Sequence, residues 1–152
     1  MTVYDVYRHW DTDLRPPLIE GLKLLTEAQL HWKPAGWHSS IFDLAAHVVG
    51  GEWAWIHRNV LQKVAREERW KPGRFANLQE LLTYWEQLHA HTVEWLKEMP
   101  LAHMSRHYHM GYADMPEASV QWIIHHVMEH EAHHRGQIFL LMRMQGVNPP
   151  ET

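Results

Sequence analysis

Apolar residues recur every three or four positions along four stretches of the chain, the spacing of one face of an α-helix. The four predicted helices run from Tyr4 to about Leu25, from Ser39 or Ser40 to about Lys63, from Asn77 to Pro100 and from about Pro116 to Met144. Pro16-Pro17 predicts either a kink within the first helix, which we favour, or the start of a new helix. Because no stretch has the pattern of a strand array, we predict an all-α fold: a four-helix bundle forming a single domain over residues 1–152.

The connectors on either side of the third helix differ in character. Arg69–Ala76, which contains Pro72-Gly73, predicts a simple connector. Leu101–Met115 is longer and less regular, and the alternation over His107–His109 favours a short extended piece. A loop of this length in a small bundle often covers a functional site.

Two features of the second helix predict unusual packing. Gly50-Gly51 would weaken an exposed helix by about 1 kcal/mol each, so the pair indicates close approach by another helix. Glu52 falls within the apolar sector, where its carboxylate needs a partner, as a ligand, as a group that orients a ligand, or as a side chain that reaches solvent. In the third helix, His89 and His91 are both predicted to lie at the surface.

Composition limits the classes of function. With 45% hydrophobic and 21% charged residues the chain is typical of a globular protein, and a formal charge of −4 argues against a nucleic-acid partner. The absence of cysteine excludes disulfides, thiolate metal sites and a cysteine nucleophile. No apolar run is long enough to span a membrane and no leader segment is apparent, so a cytoplasmic protein without a membrane partner is expected. Nine tryptophans and eight methionines indicate a large core, with some of them available for a pocket or a homodimer interface.

The fourth helix carries a column of histidines. His126, His130 and His134 are four residues apart, so their side chains lie one above the other, about 6 Å apart along the helix axis. Two imidazoles one turn apart can bind the same divalent ion if a third ligand comes from elsewhere. With fifteen histidines in the chain, this spacing is weak evidence alone, but these histidines also adjoin the apolar stripe of the helix.

His47 is the candidate third ligand, because it lies near the apolar face of the second helix and facing helices of a bundle approach within side-chain reach. A lone histidine in such a position is more often an ordinary core residue than a ligand. Three histidines with further coordination positions open would form a catalytic type of site, and both zinc and nickel suit imidazole. Glu52, Glu129 and Glu131 are candidates for orienting the ligand rings.

The segment His130-Glu131-Ala132-His133-His134 also satisfies the H-E-x-x-H pattern of zinc peptidases, in which Glu131 would be the general base. The extended form of that pattern requires glycine and histidine at two later positions, which are Gln137 and Leu140 here. The peptidase interpretation is therefore disfavoured.

The motifs together resemble those of the DinB/YfiT-like metalloprotein family. The resemblance is carried by His47 after Leu44-Ala45-Ala46, by the run from Trp122 to Ile138 that includes H-E-x-x-H-R-G-Q, and by Trp32-Lys33-Pro34. It implies a four-helix bundle, often dimeric, with a metal triad of His47, His130 and His134. Many relatives also have a histidine at the position of His126, and whether His126 is a ligand is left open.

The resemblance implies a metal-dependent enzyme acting on a small molecule, since characterised relatives include transferases and isomerases that use low-molecular-weight thiols, and others are described as metal-dependent hydrolases. The metal would activate the thiol as a thiolate, and a chain without cysteine would need an external thiol. Candidate catalytic residues are Glu131, His126 and Glu52. The alternative is a non-catalytic, stress-associated metal-binding or small-molecule-binding protein in which the metal is structural.

Overall fold

The computed structural model describes residues 1–71 and 73–152, which are mostly helical with a small two-stranded sheet. The α-helices are α1 (Val3–Tyr7), α2 (Arg15–Lys23), α3 (Glu27–His31), α4 (Ile41–Glu52), α5 (Leu78–Glu98) and α6 (Val120–Met144). Wide π-helical turns cover Trp10–Leu14 and Trp53–Arg58, a 3₁₀ helix covers Leu101–Ser105, and the strands are β1 (His107–His109) and β2 (Glu117–Ser119). Pro72, part of the predicted connector, lies outside the described residues.

The first predicted helix is a nearly continuous helical rod whose irregularity comes just before the two prolines. Pro16 and Pro17 stand in the first turn of α2, directly after the π-helical turn Trp10–Leu14. A proline cannot donate a backbone hydrogen bond and its ring clashes with the carbonyl four residues earlier. A widened turn at that place relieves both constraints, so the prolines are accommodated within the rod.

Side-chain caps define where the long helices begin. Ser40 Oγ accepts from the backbone N–H of Asp43 at 3.1 Å, and the Asp43 carboxylate accepts from the backbone N–H of Ser40 at 2.8 Å, which together form a capping box. Asn77 Oδ1 accepts from the Glu80 N–H at 2.9 Å. These caps confirm the predicted starts of α4 and α5.

The last helix begins later than predicted because the residues before it form a strand. β2 pairs antiparallel with β1, with Tyr108 opposite Ala118, and α6 then starts at Val120 behind the capping residue Ser119. The extended piece predicted over His107–His109 is therefore confirmed, and the mostly helical fold includes a small two-stranded sheet. Each strand is only three residues long, too short for a clear alternating pattern.

Buried apolar side chains form two clusters: α6 contributes to both, α4 contributes to the first, and the π-helical turn after α4 adds Ile56 to the second. The first cluster is centred on residues such as Leu18, Ile41, Val49, Trp85 and Leu141. The second includes Trp10, Ile56, Leu96, Ile123 and Val127. The packing of α4 against α6 places their facing polar residues close together. No helix among residues 1–71 and 73–152 is long and apolar enough to cross a membrane.

Candidate metal centre

Three histidines from two helices converge between α4 and α6. His47 comes from α4, and His130 and His134 come from successive turns of α6. The Nε2 atoms of His47 and His130 are 2.9 Å apart, and one ring nitrogen from each of the three histidines lies within 4.8 Å of the others. Nitrogens bound to one tetrahedral zinc ion are about 3.3 Å apart, given Zn–N bonds of about 2.05 Å. The widest spacing exceeds this value by about 1.5 Å, so small side-chain rotations would bring all three rings onto one ion.

The environment keeps these imidazoles neutral. The pKa of His130 is lowered to about 3, mainly by burial and to a smaller extent by the neighbouring His134 and His47. Partial shielding from water also lowers the pKa of His47, and partial burial lowers that of His134 despite an opposing hydrogen bond to Gln137. A neutral imidazole retains the lone pair that a metal needs. The cluster thus has the electronic state of a metal site near neutral pH.

A side chain one turn further along α6 orients one of the rings. The Nδ1 atom of His134 lies 2.7 Å from Gln137 Oε1, and an amide oxygen can only accept, so Nδ1 carries the hydrogen. The lone pair of His134 is then on Nε2. Fixing the tautomer by such a bond is the usual role of a residue behind a metal ligand. In the sequence Gln137 was the last residue of the H-E-x-x-H-R-G-Q run and a departure from the peptidase pattern, with no role predicted for it.

Gly51 leaves space for the imidazole ring of His130. A β-carbon at position 51 would lie 2.8 Å from both Cε1 and Nδ1 of His130, closer than real side chains approach one another. The predicted close approach at Gly50-Gly51 is confirmed on the side of Gly51 by this contact with α6. At Gly50, a β-carbon would instead lie 2.6 Å from the Trp70 indole, which belongs to a connector rather than to a helix.

Two of the three predicted carboxylates, Glu131 and Glu52, lie on the inner side of the helices and are bonded elsewhere. Glu131 is 1% exposed and accepts from Arg15 Nη2 at 2.6 Å, from Arg15 Nε at 3.1 Å and from Trp10 Nε1 at 2.8 Å. Glu52, also 1% exposed, accepts from Arg15 Nη2 at 2.8 Å and from Thr92 Oγ1 at 2.7 Å. Glu52 therefore has the partner that its position demanded, and neither acid contributes to the histidine cluster.

His126 stands apart from the cluster although it shares the helix face. Its ring stacks on Trp122, with centroids 4.7 Å apart and planes inclined by 10°, and its edge meets Trp55 at 4.4 Å. The predicted column therefore divides, with His130 and His134 joining His47. Glu129 is exposed and lines a cleft of about 400 Å³ together with His126 and Trp122.

His89 is buried, which corrects its predicted surface position. It is 7% exposed, and its Nδ1 lies 2.9 Å from Glu52 Oε1. Burial alone would lower its pKa, but the Glu52 carboxylate and the nearby Asp11 raise it overall. A signal was available: Trp85, His89 and Leu96 occur at helical spacing on one face of α5.

Clefts beside the cluster offer space for a small molecule. One of about 300 Å³ is lined by Trp37, His38, Leu44 and Gln137, and Gln137 is the residue bonded to His134. The second cleft, at His126, lies one helical turn before His130 along α6, whereas the first lies beyond His134. His47 itself is exposed, so the cluster is accessible from solvent.

Comparison with known proteins identifies the class. A family model described as the DinB superfamily matches residues 14–138, a range that contains all three histidines, so the chain belongs to the DinB superfamily. A comparison with curated proteins gives no match.

Solved structures agree on the fold. A DinB-like protein from Bacillus cereus is similar with a TM-score of 0.75 at 17% identity, covering 99% of this chain and 95% of that one. The DinB-like protein YjoA from Bacillus subtilis gives 0.69 at 18% identity, covering 97% and 96%. A conserved protein from Enterococcus faecalis gives 0.67 at 18% identity, covering 95% and 97%. At these identities the likeness concerns the fold alone.

Proposed function

We propose that His47, His130 and His134 bind a divalent metal ion, zinc or nickel, within a four-helix bundle of the DinB/YfiT-like type. The chain would act as a metal-dependent enzyme on a small molecule, as a thiol-dependent S-transferase or a hydrolase. The observation that carries the proposal is the convergence of one nitrogen from each histidine within 4.8 Å. Membership of the DinB superfamily supports it.

The donor set fits such an ion. Three neutral imidazoles leave at least one coordination position for a further ligand, as in metal sites that perform catalysis. When bound, the ion would lower the pKa of a water molecule or of a thiol and so supply a nucleophile at neutral pH. Because the chain has no cysteine, the thiol would be an external low-molecular-weight molecule.

The residues of the chain would prepare the site in separate ways. Burial keeps His130 neutral, Gln137 orients His134 through Nδ1, and Gly51 lets the His130 ring approach α4. The clefts at Trp37 and at Trp122 would hold the apolar part of a substrate. Among the candidate catalytic residues, His126 faces a cleft, whereas Glu52 and Glu131 would act through the buried ion pairs that fix α4 and α6 relative to α2.

The test begins with metal content. Purified wild-type protein should contain about one equivalent of metal, and His47→Ala and His130→Ala should contain little. His133→Ala is the matched control, since His133 is an exposed neighbour on the same helix outside the cluster. Retention of a full equivalent by both ligand variants would contradict the assignment. A panel of electrophiles with and without low-molecular-weight thiols then tests the reaction, and activity lost in the same variants supports the enzyme.

A structural metal is the second candidate, favoured by the fact that the cluster joins α4 to α6. The protein would then be a non-catalytic, stress-associated metal-binding or small-molecule-binding protein. This candidate predicts a large fall in melting temperature on chelation, together with a metal that has no exchangeable water. The enzyme predicts an exchangeable position that a thiol can occupy.

We also propose a homodimer, and a cytoplasmic location remains the expectation. The dimer is supported by large apolar side chains that stay exposed on a chain of this size, among them Leu24, Trp32, Trp37, Trp122 and Leu140. Light scattering in solution tests it, and a monomer at micromolar concentration would contradict it.

A further inference from the structure

A cleft of about 570 Å³ lies at the far end of α4 from its capping residue, outside the histidine cluster. It is enclosed by the π-helical turn Trp53–Arg58, by the connector that follows, and by the residues after β1. Its lining combines arginines with aromatic rings, among them Arg58, Arg66, Arg69, Trp53, Trp70 and Tyr112. None of them belongs to the three-histidine cluster.

The cleft is positively charged in an acidic protein. Arg58, Arg66 and Arg69 line it, against the single carboxylate of Glu67, while the whole chain has a formal charge of −4. A fourth guanidinium, that of Arg74, lies 4.8 Å from the centroid of the Trp70 ring. Such a local excess of arginine attracts anions.

Arg58 is held rigidly in the wall. It is 8% exposed, its Nη2 donates to Tyr112 Oη at 2.9 Å, and its Nε donates to Asn59 Oδ1 at 3.0 Å. Its Nη1 donates to the backbone carbonyl of Glu68 at 3.2 Å. Because Tyr112 Oη accepts this bond, its own hydrogen is left to donate to another group.

Two further donors of the lining residues are buried without an acceptor among residues 1–71 and 73–152. Asn59 is 1% exposed, and the bond from Arg58 to its Oδ1 assigns the other terminal atom as the NH₂ group, which has no partner there. The Nε1–H of Trp70 is in the same state. A buried donor without a partner costs about 1–3 kcal/mol. Asn59 lines the cleft, so an acceptor bound there would satisfy its amide, whereas Trp70 Nε1 packs against Gly50 of α4.

The rest of the wall is aromatic. The rings of Trp53 and Trp70 are 5.6 Å apart at an inclination of 48°, and Tyr112 completes this side. Guanidinium groups outnumber the carboxylate of Glu67 among the charged lining groups, and the apolar surface suits a planar or aliphatic group.

We propose that this cleft is a binding site for a small molecule that carries an oxyanion, a carboxylate or a phosphate, joined to a planar apolar group. Arg58 supplies fixed positive charge, and Arg66 and Arg69, each with one terminal nitrogen bonded to backbone carbonyls, would donate to the oxyanion from the other. The amide of Asn59 would supply a neutral donor. The site is separate from the proposed metal centre and does not depend on it.

The test is isothermal titration of the full-length protein with four probes: benzoate, phenyl phosphate, inorganic phosphate and the neutral benzamide. We expect saturable binding at one site for at least one of the two aromatic oxyanions, and comparison of those two distinguishes carboxylate from phosphate. Benzamide and inorganic phosphate should each bind at least about tenfold more weakly than the preferred probe. No saturable binding of either aromatic oxyanion would overturn the proposal, as would equal binding of benzamide.

Variants locate the binding. Arg66→Gln and Arg69→Gln change exposed side chains of the connector and should each weaken binding about tenfold, whereas Arg143→Gln, an exposed arginine on α6, should not change it. Melting temperatures identify any variant that has lost its fold, and the probe comparison on wild-type protein stands without the variants. Binding should also persist in His47→Ala. Loss in that variant would assign the ligand to the histidine cluster and overturn the separate site.

Discussion

Gly51 on α4 lies directly against the imidazole of His130 on α6, with no space between them for a β-carbon. Gly51→Ala should therefore displace the ring and weaken zinc binding by about tenfold or more, as changes behind metal ligands commonly do. Competition with a chromogenic chelator measures this. The matched control is Gly136→Ala on α6, because a β-carbon at position 136 would have no neighbouring atom of the described residues within 4 Å. Unchanged zinc affinity in a folded Gly51→Ala protein would contradict the role of this contact.

The bond between Gln137 and His134 predicts a graded effect on the metal. Gln137→Leu removes the acceptor for Nδ1–H at similar volume and should weaken zinc binding about tenfold, while Gln137→Glu keeps an acceptor and should retain or strengthen it. The same chelator competition measures both variants. A uniform loss in both would indicate that Gln137 acts through its shape rather than through the hydrogen bond.

Arg15 is the centre of a buried ion network, so its removal should be costly. Burial alone would raise the pKa of Glu52, but Arg15 and His89 lower it well below its usual range, and the carboxylate stays charged. Arg15→Met would leave this carboxylate and that of Glu131 without their cation, at an expected cost of about 3–5 kcal/mol in the free energy of unfolding. Urea denaturation measures it.

Arg8→Gln is the control for that substitution, because Arg8 is an exposed arginine in the same N-terminal helical segment. Its effect should stay within about 0.5 kcal/mol. Equal effects of the two substitutions would show that the buried network contributes no more than a surface charge.

His57 predicts how stability depends on pH. Burial lowers its pKa to about 4, below the value of about 6.5 in an unfolded chain, and its Nε2 lies 2.9 Å from Thr92 Oγ1. The unfolded state therefore takes up the proton first, so the stability due to neutral His57 is complete above pH about 6.5 and is lost as pH falls toward about 4. Wild-type protein should lose about 2 kcal/mol more than His57→Gln between these values. Parallel pH profiles from urea denaturation would contradict this.

The sequence predicts the helices and the histidines well because both depend on local periodicity. Ser40 and Asn77 show where α4 and α5 begin, and the four-residue spacing of His130 and His134 places them on one helix face whatever surrounds them. His47 lies opposite them because the apolar faces of α4 and α6 pack together. The resemblance to the DinB/YfiT-like family implied the same residue.

The remaining features depend on which side chain meets which across the core, and periodicity does not specify that. Arg15 is a charged residue beside two prolines, and nothing in its local sequence indicates that Glu52 and Glu131 would both bind it. The same limit explains His126, whose position on the helix face was predicted but whose stacking on Trp122 was not. The cleft proposed to bind an oxyanion is lined by residues of three separate segments, around Arg58, Arg66 and Tyr112, which come together only in the folded chain.

The most direct measurement of the central claim is the X-ray absorption spectrum of the zinc-loaded protein. Binding by His47, His130 and His134 predicts three imidazole nitrogens at about 2.0–2.1 Å, together with one or more light atoms at the remaining positions. In His47→Ala the imidazole count should fall to two. A wild-type spectrum with fewer than three imidazoles, or one unchanged by His47→Ala, would contradict the proposed metal centre.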